Sequence, residues 1–206
     1  MTQTPTIAIA YDFDGTLSPG SMQEHSFIPE IGEAIDAFWG RVNGEAARLG
    51  ADNILIYMHE MVKAAQREDV RFRREDIERH GQSVSFFPGV AEGWFQRLRD
   101  YGAECGVRVQ HYIISSGLKE MIAASAVGAE FDAIFASEFK YNADDVPVWA
   151  ASAVNYTNKT QFLFRINKGA LNLSDHAEVN AYVPEDDRPV PFRNMIYVGD
   201  GDTDVP

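Results

Sequence analysis

Cysteine, positive charge and long apolar runs are all scarce in this sequence. Cys105 is the only cysteine among 206 residues, which excludes an internal disulfide and a zinc site built from cysteines. A small half-buried side chain is its expected role. Lys and Arg number 18 against 31 Asp and Glu, a net charge of −13. A field of that sign repels phosphate backbones and anionic lipid surfaces, so neither nucleic acid nor membrane is expected as a partner. Nowhere do the roughly 18 consecutive apolar residues of a membrane span occur. Met1 to Ala10 lacks the basic-then-apolar pattern of a secretory leader, so a cytoplasmic protein is expected. Hydrophobic residues make up 45%, enough to bury roughly 70% of the unfolded surface in one ordinary domain, or in a core domain with a small companion. An anionic substrate would need local help against the acidic field, and a divalent cation ringed by carboxylates supplies it.

The apolar run Thr6 to Tyr11 reads as a strand stopped by the turn signal in Asp12-Phe13-Asp14-Gly15. From Pro29 to Phe72 the spacing becomes helical. Ile35, Phe38, Trp39, Val42, Ala46 and Leu49 mark one amphipathic helix; Ile54, Tyr57, Met58, Met61, Val62 and Ala65 mark a second. A third, more charged helix is predicted over Arg73 to His80. Val90 to Tyr101 reads as a helix feeding the strand Val107 to Ile114, which ends in Ser115-Ser116-Gly117. Phe131 to Ala136 suggests another strand, Ser137 to Thr157 a hairpin, and Lys159 to Ala170 a helix. Leu171 to Arg193, polar and carrying Pro184, Pro189 and Pro191, reads as a long surface insertion. Met195 to Val198 is the last strand, running into Gly199-Asp200-Gly201-Asp202-Thr203-Asp204. This alternation predicts an α/β fold, a Rossmann-like parallel sheet with helices on both faces, with its ligand site beyond the carboxyl ends of the strands. Three apolar strands end there in polar clusters: Asp12 and Asp14, Ser115 and Ser116, and Asp200 to Asp204.

Two carboxylates in a D-x-D step at a strand end point to different sides of the backbone and can serve one bound group in different roles. For phosphoryl transfer, Asp12 would attack to form an aspartyl-phosphate, while Asp14 moves protons. Charge on the transferring oxygens calls for donors and cations, and Ser115 and Lys159 offer them. Magnesium takes one or two carboxylates together with phosphate oxygens. Asp12 and Asp200 suit it, with Asp14 and Asp204 as further candidates. Each feature alone has a plainer reading: an acidic turn, a helix cap, a solvated lysine, an acidic loop.

Their joint occurrence, in this order and each after a strand or at a helix start, resembles the haloacid dehalogenase superfamily of aspartate-dependent phosphohydrolases. The motifs are Asp12-Phe13-Asp14-Gly15-Thr16, Ile113-Ile114-Ser115, Lys159, and Gly199-Asp200-Gly201-Asp202-Thr203-Asp204. An acid at the position of Asp14 implies a phosphatase rather than a dehalogenase. The helical stretch after the first motif implies the phosphoserine-phosphatase-like branch, with a helical cap over residues 18–85 inserted in a core of residues 1–17 and 86–206. Ser116 and Lys168 stay open as alternatives to Ser115 and Lys159. The resemblance also implies a further helix and strand after the fourth motif, so the chain reads as lacking the family's C-terminal end.

A magnesium-dependent phosphomonoesterase acting on a small phosphorylated metabolite is therefore the leading expectation. A catalytically inactive binding protein of the same fold is one rival. A receiver domain is another, disfavoured by the chain's length and by the helical insertion. His25, His59, His80, His111 and His176 show no ligand spacing. Trp39, Trp94 and Trp149 read as core or cap contacts, and Gln23 and Glu24 as a solvated helix start. Neither substrate nor oligomeric state is legible.

Overall fold

β1, Thr6–Tyr11, alternates its side chains across the sheet: Ile9 and Tyr11 join one apolar layer, Ala8 and Ala10 the other. A computed structural model describes residues 4–201 and 204. β1 lies between β2 and β5 in a five-stranded sheet ordered β4-β3-β2-β1-β5. It runs parallel to β2 (Arg108–Leu118) and to β5 (Met195–Val198); β2 is parallel to β3 (Ala133–Tyr141), and β4 (Pro147–Ser152) returns antiparallel to β3. In register, Ile9 faces His111 and Ala10 faces Tyr197. The strand ends carrying Asp12, Ser115 and Val198 therefore lie along one edge.

Between β1 and β2 come α1 (Phe27–Glu30), α2 (Ile35–Leu49), α3 (Asn53–Arg67), α4 (Arg74–Gln82) and α5 (Phe95–Glu104). Phe38 and Val42 on α2, and Tyr57, Met58 and Met61 on α3, are buried at the predicted helical spacing. They share an apolar layer with Ile113, Phe95 and Phe139, so the helical segment is packed onto the sheet. Fully burying Phe27 or Phe38 contributes about 1.5–3 kcal/mol each. Where the chain leaves and re-enters the sheet region, the two crossings lie side by side. The Phe87 N–H donates to the Leu17 carbonyl at 3.0 Å, and the Ser85 N–H donates to His25 Nδ1 at 3.4 Å. The opposite layer is smaller: Tyr112, Ile114 and Phe135 meet Phe162 and Ile166 of α7 (Lys159–Lys168).

Several elements differ from the sequence reading. β2 continues to Leu118, but its ladder with β3 jumps from Ser115–Ala136 to Leu118–Ser137, leaving Ser116 and Gly117 bulged out of the pairing. The six-residue α6 (Lys119–Ala124) follows at once; it is too short for a periodic pattern. Val90 to Trp94 is a kinked turn, with Gly93 at φ 94, and regular helix begins only at Phe95. β3 runs unbroken from Ala133 into the hairpin that had been expected to start after it. Within the polar insertion, α8 (His176–Asn180) forms and Val190 is buried, its carbonyl accepting from Asn167 Nδ2 at 2.8 Å. Trp149 is 73% exposed and Cys105 is exposed, against expectation. Among the described residues, no helix is long and apolar enough to cross a membrane.

Candidate active site

Asp12 sits where β1 ends, its N–H donating to the Val198 carbonyl of β5 at 2.9 Å. It is buried, with Oδ1 accepting the Phe13 N–H at 2.7 Å and Oδ2 accepting Lys159 Nζ at 2.7 Å. Lys159, also buried, opens α7 and donates to Asp204 Oδ1 at 2.5 Å. Tyr197 Oη donates to that same oxygen at 2.9 Å, and the Gly201 N–H to Asp204 Oδ2 at 3.2 Å. Asp200 is exposed and accepts from Thr16 Oγ1 at 3.1 Å. Gly15 makes this approach possible: at φ +77, a Cβ there would lie 2.3 Å from Asp200 Oδ2.

Asp14 turns the other way. Its Oδ1 accepts the Met22 N–H at 2.9 Å. Met22 is fully buried, and its sulfur accepts the Leu118 N–H at 3.2 Å. A Cβ on Gly117 would lie 2.1 Å from Met22 Cε and 3.2 Å from Asp14 Oδ2, so only glycine lets the bulge of β2 come this close to Met22 and the acid. Ser115, fully buried, accepts the Gly117 N–H on its Oγ at 3.1 Å, while the Ser116 carbonyl accepts Tyr57 Oη of α3 at 2.7 Å. Bulges commonly re-aim side chains beside active sites, and this one brings Ser115 and Gly117 to the edge that carries Asp14.

The two acids of the D-x-D step differ electrostatically. Burial pushes Asp14 up to about 8 against the pull of the Met22 N–H, and the charges of Asp12, Glu24 and Asp200 add to the rise. Burial also raises Asp12, though the Lys159 ammonium opposes it. Lys159 itself loses by burial and gains more from Asp12 and Asp204, which hold it above its ordinary value. Lys159 is thus a stable ammonium shared by two carboxylates. Asp12, where burial outweighs the pull of the ammonium, is the less comfortable anion of the two. Burial resists Asp204 ionisation, but Lys159 and Tyr197 together hold its carboxyl below the usual range.

Among the described residues, Asp12, Asp200 and Asp204 form a group whose carboxylate oxygens lie within 4.8 Å of one another, and no histidine joins such a group. An all-oxygen, carboxylate-rich set is the chemistry that magnesium takes. The Asp14 side chain is not part of it. Lys168 lies outside the cluster, its Nζ donating to the Val179 and Ala181 carbonyls at 2.9 Å each. Gln23 is buried and Glu24 accepts Trp39 Nε1 at 2.8 Å, so neither is a solvated helix start. Sequence reasoning assigns no site role to Tyr197, Thr16, Met22 or Tyr57. Only Thr16, beside the acidic pair, and Tyr197, an outlying hydroxyl in an apolar strand, left any signal there. Asp202 and Thr203 of the fourth motif lie outside the described residues.

Comparison with known proteins bears on the family and the fold. The family model for haloacid dehalogenase-like hydrolases matches residues 9–206. A protein of Borreliella burgdorferi described only as uncharacterized is 28% identical over 97% of this chain and 76% of its own length. Among solved structures, a substrate-bound phosphoserine phosphatase superposes with a TM-score of 0.62 at 15% identity, covering 98% of this chain and 81% of that one. A HAD family hydrolase from Salmonella enterica serovar Typhi gives 0.61 at 18% identity over 97% and 58%. The fold is shared at that distance, and the family match takes in Asp12, Asp14, Ser115, Lys159, Asp200 and Asp204 in a single span. The chain belongs to the haloacid dehalogenase-like hydrolases.

Proposed function

We propose that this hydrolase is a phosphoric monoester phosphatase acting on a small phosphorylated metabolite in the cytoplasm, with residues 18–85 as a helical cap on a core of residues 1–17 and 86–206. The observation that carries this reading is the division of labour at the D-x-D step. Asp12 is set against a cation, whereas Asp14, two residues on, is held by a single N–H in surroundings that favour its protonated form. One carboxylate suits attack and the other suits proton transfer.

Asp12 attacks phosphorus as its bond to the ester oxygen breaks, and Asp14 delivers a proton to the departing alcohol. Asp14, now a carboxylate, takes a proton from water as the water oxygen attacks phosphorus. The bond to Asp12 breaks, and inorganic phosphate leaves. Ser115 and Lys159 hold the phosphoryl oxygens throughout. Asp12, Asp200 and Asp204 would hold Mg2+, which supplies charge neutralisation on those oxygens. The cap excludes bulk water while the acyl phosphate exists.

The test is phosphate release from a panel of small phosphate esters, with magnesium and with a chelator. Release that needs magnesium and falls by at least about a thousandfold in Asp12→Asn, with the circular dichroism spectrum kept, is expected. Release from no ester in the panel, or turnover in Asp12→Asn within about tenfold of the unmutated protein, overturns the reading.

A further inference from the structure

Lys159 is preceded by a loop knit together by two asparagines. Asn155 Oδ1 accepts from the Thr157 N–H at 3.0 Å and from its hydroxyl at 2.6 Å. The Asn155 N–H donates to Asn158 Oδ1 at 2.9 Å, and Asn158 Nδ2 donates to the Ala153 carbonyl at 3.0 Å. Asn155 therefore has its oxygen committed within the loop. Its Nδ2 reaches out and donates to Asp52 Oδ2 at 2.5 Å.

Asp52 is the N-cap of α3, its Oδ1 accepting from the Ile54 and Leu55 N–H groups at 2.8 and 3.2 Å. One carboxylate thus joins the start of a helix in the 18–85 segment to the loop that delivers Lys159. A hydrogen bond to an ionised acceptor is of the stronger kind. The Asn155 amide cannot turn over to meet Asp52 differently without giving up both bonds from Thr157. Lys159, which bridges two carboxylates, is the sort of group for which a shift of about 1 Å costs up to a hundredfold in rate.

We propose that Asp52 is a positioning residue for Lys159, acting through Asn155, so that the seating of α3 on this loop sets where the ammonium stands between Asp12 and Asp204. Closure of the helical segment and completion of the phosphoryl site are then one event. A segment that has swung away leaves the Lys159 loop without its anchor. The kinetic consequence rests on the phosphatase reading; the clamp itself does not.

A donor–acceptor swap tests it. Asp52→Asn keeps an oxygen for the helix cap, since Asn caps well, but sets an amide NH2 against that of Asn155. Asn155→Asp keeps an oxygen for Thr157 but opposes two carboxylates. The double variant restores one donor and one acceptor in reversed order. Amide hydrogen exchange over residues 153–160 is measured for all four proteins, alongside kcat and KM on p-nitrophenyl phosphate with magnesium. Each single variant is expected to lose protection in that segment and about tenfold in kcat, with KM moving less than about twofold; the double variant regains both to within about threefold. Unchanged exchange in the single variants, an unchanged kcat, or a double variant no better than the worse single one overturns the proposal. If the unmutated protein hydrolyses no ester, exchange decides alone. Loss and recovery then upholds the clamp while the phosphatase reading falls, and no loss overturns the clamp.

Discussion

The two acidic loops that meet at the sheet edge are held in place by different physics. Around Asp12 and Asp14 the chain is fixed by burial: Phe13, Met22 and Phe27 are wholly inaccessible, and Leu17 nearly so. Beneath them, Trp94 Nε1 donates to Tyr11 Oη, which meets His111 Nδ1 at 3.1 Å, and His111 Nε2 meets the Phe95 carbonyl. Among its described residues, the loop of Asp200 and Asp204 has no such support. It leaves β5, an edge strand of four residues on which Ile196 is 50% and Val198 38% exposed. Its order comes from charge: Lys159, Tyr197 and Gly201 on Asp204, and Thr16 on Asp200. The proposed nucleophile thus stands on the packed half, where position is set by shape. Two of the three carboxylates proposed to hold the metal stand on the half that answers to a cation. A site built this way keeps its reactive atom in register while the charge around it changes.

Removing the shared cation breaks that arrangement most severely. Lys159→Met preserves length and apolar contact but leaves Asp12 and Asp204 facing each other without an ammonium. Loss of one partner from a buried pair costs about 3–5 kcal/mol, and both carboxylates here are largely buried at the contact. Equilibrium unfolding in chelator should show that loss. Millimolar magnesium should return much of it, because a divalent ion binding only the folded state stabilises it by about 2.7 kcal/mol at a hundredfold over its dissociation constant. A variant as stable as the parent, or one indifferent to magnesium, would show that charge does not order this half.

The packed half has its own weakness, at acid pH. His111 is fully buried, and burial above all depresses it from 6.5 to about 4. In the unfolded chain it takes up a proton near 6.5, so between those values the unfolded state binds more protons and stability rises with pH. The contribution is complete above about pH 6.5 and is lost as pH falls toward 4, on the order of 3 kcal/mol in all. Denaturant titrations of the unmutated protein and of His111→Gln across that window should diverge by this amount, with the variant the flatter of the two. Parallel curves would remove His111 from the account.

Much of this contrast was legible in the sequence, and the part that was not has a common cause. The strands ending at Asp12 and Val198 show as apolar runs closed by Asp-Gly turns, and α2 and α3 show through Phe38, Val42, Met58 and Met61 at helical spacing. Periodicity reports what faces the core. It carries no trace of the bulge at Ser116 and Gly117, which packs against Met22 and Asp14, residues about a hundred positions away in the chain. Nor does it show α6, which has fewer than two turns in which to declare a face, or the kink at Gly93. The link from Asp52 to Asn155 joins residues 103 apart in the chain. Each reads locally as a cap or a turn former, and only the fold makes them partners. Sequence prefers Lys159 over Lys168 for its place at a helix start, but only the fold, which sets Lys159 against Asp12 and Lys168 against the Val179 and Ala181 carbonyls, excludes the second.

Tyr197 gives the finest division between the halves. It lies on β5 in register with Ala10 and is, among the described residues, one of three donors to Asp204; the others are the Lys159 ammonium and the Gly201 N–H. Tyr197→Phe removes only the hydroxyl and keeps the ring against the smaller apolar layer, where Met195 also packs. Asp204 stays ionised, because the ammonium that dominates its surroundings is untouched. The expected loss is about 1 kcal/mol, the net worth of an ordinary hydrogen bond whose acceptor keeps other partners. For a chain of this size that is a fall of roughly 2–4 °C in melting temperature. Scanning calorimetry in chelator, beside Lys159→Met, makes the comparison. A loss equal to that of Lys159→Met would mean that the phenol, rather than the charge, orders the last loop.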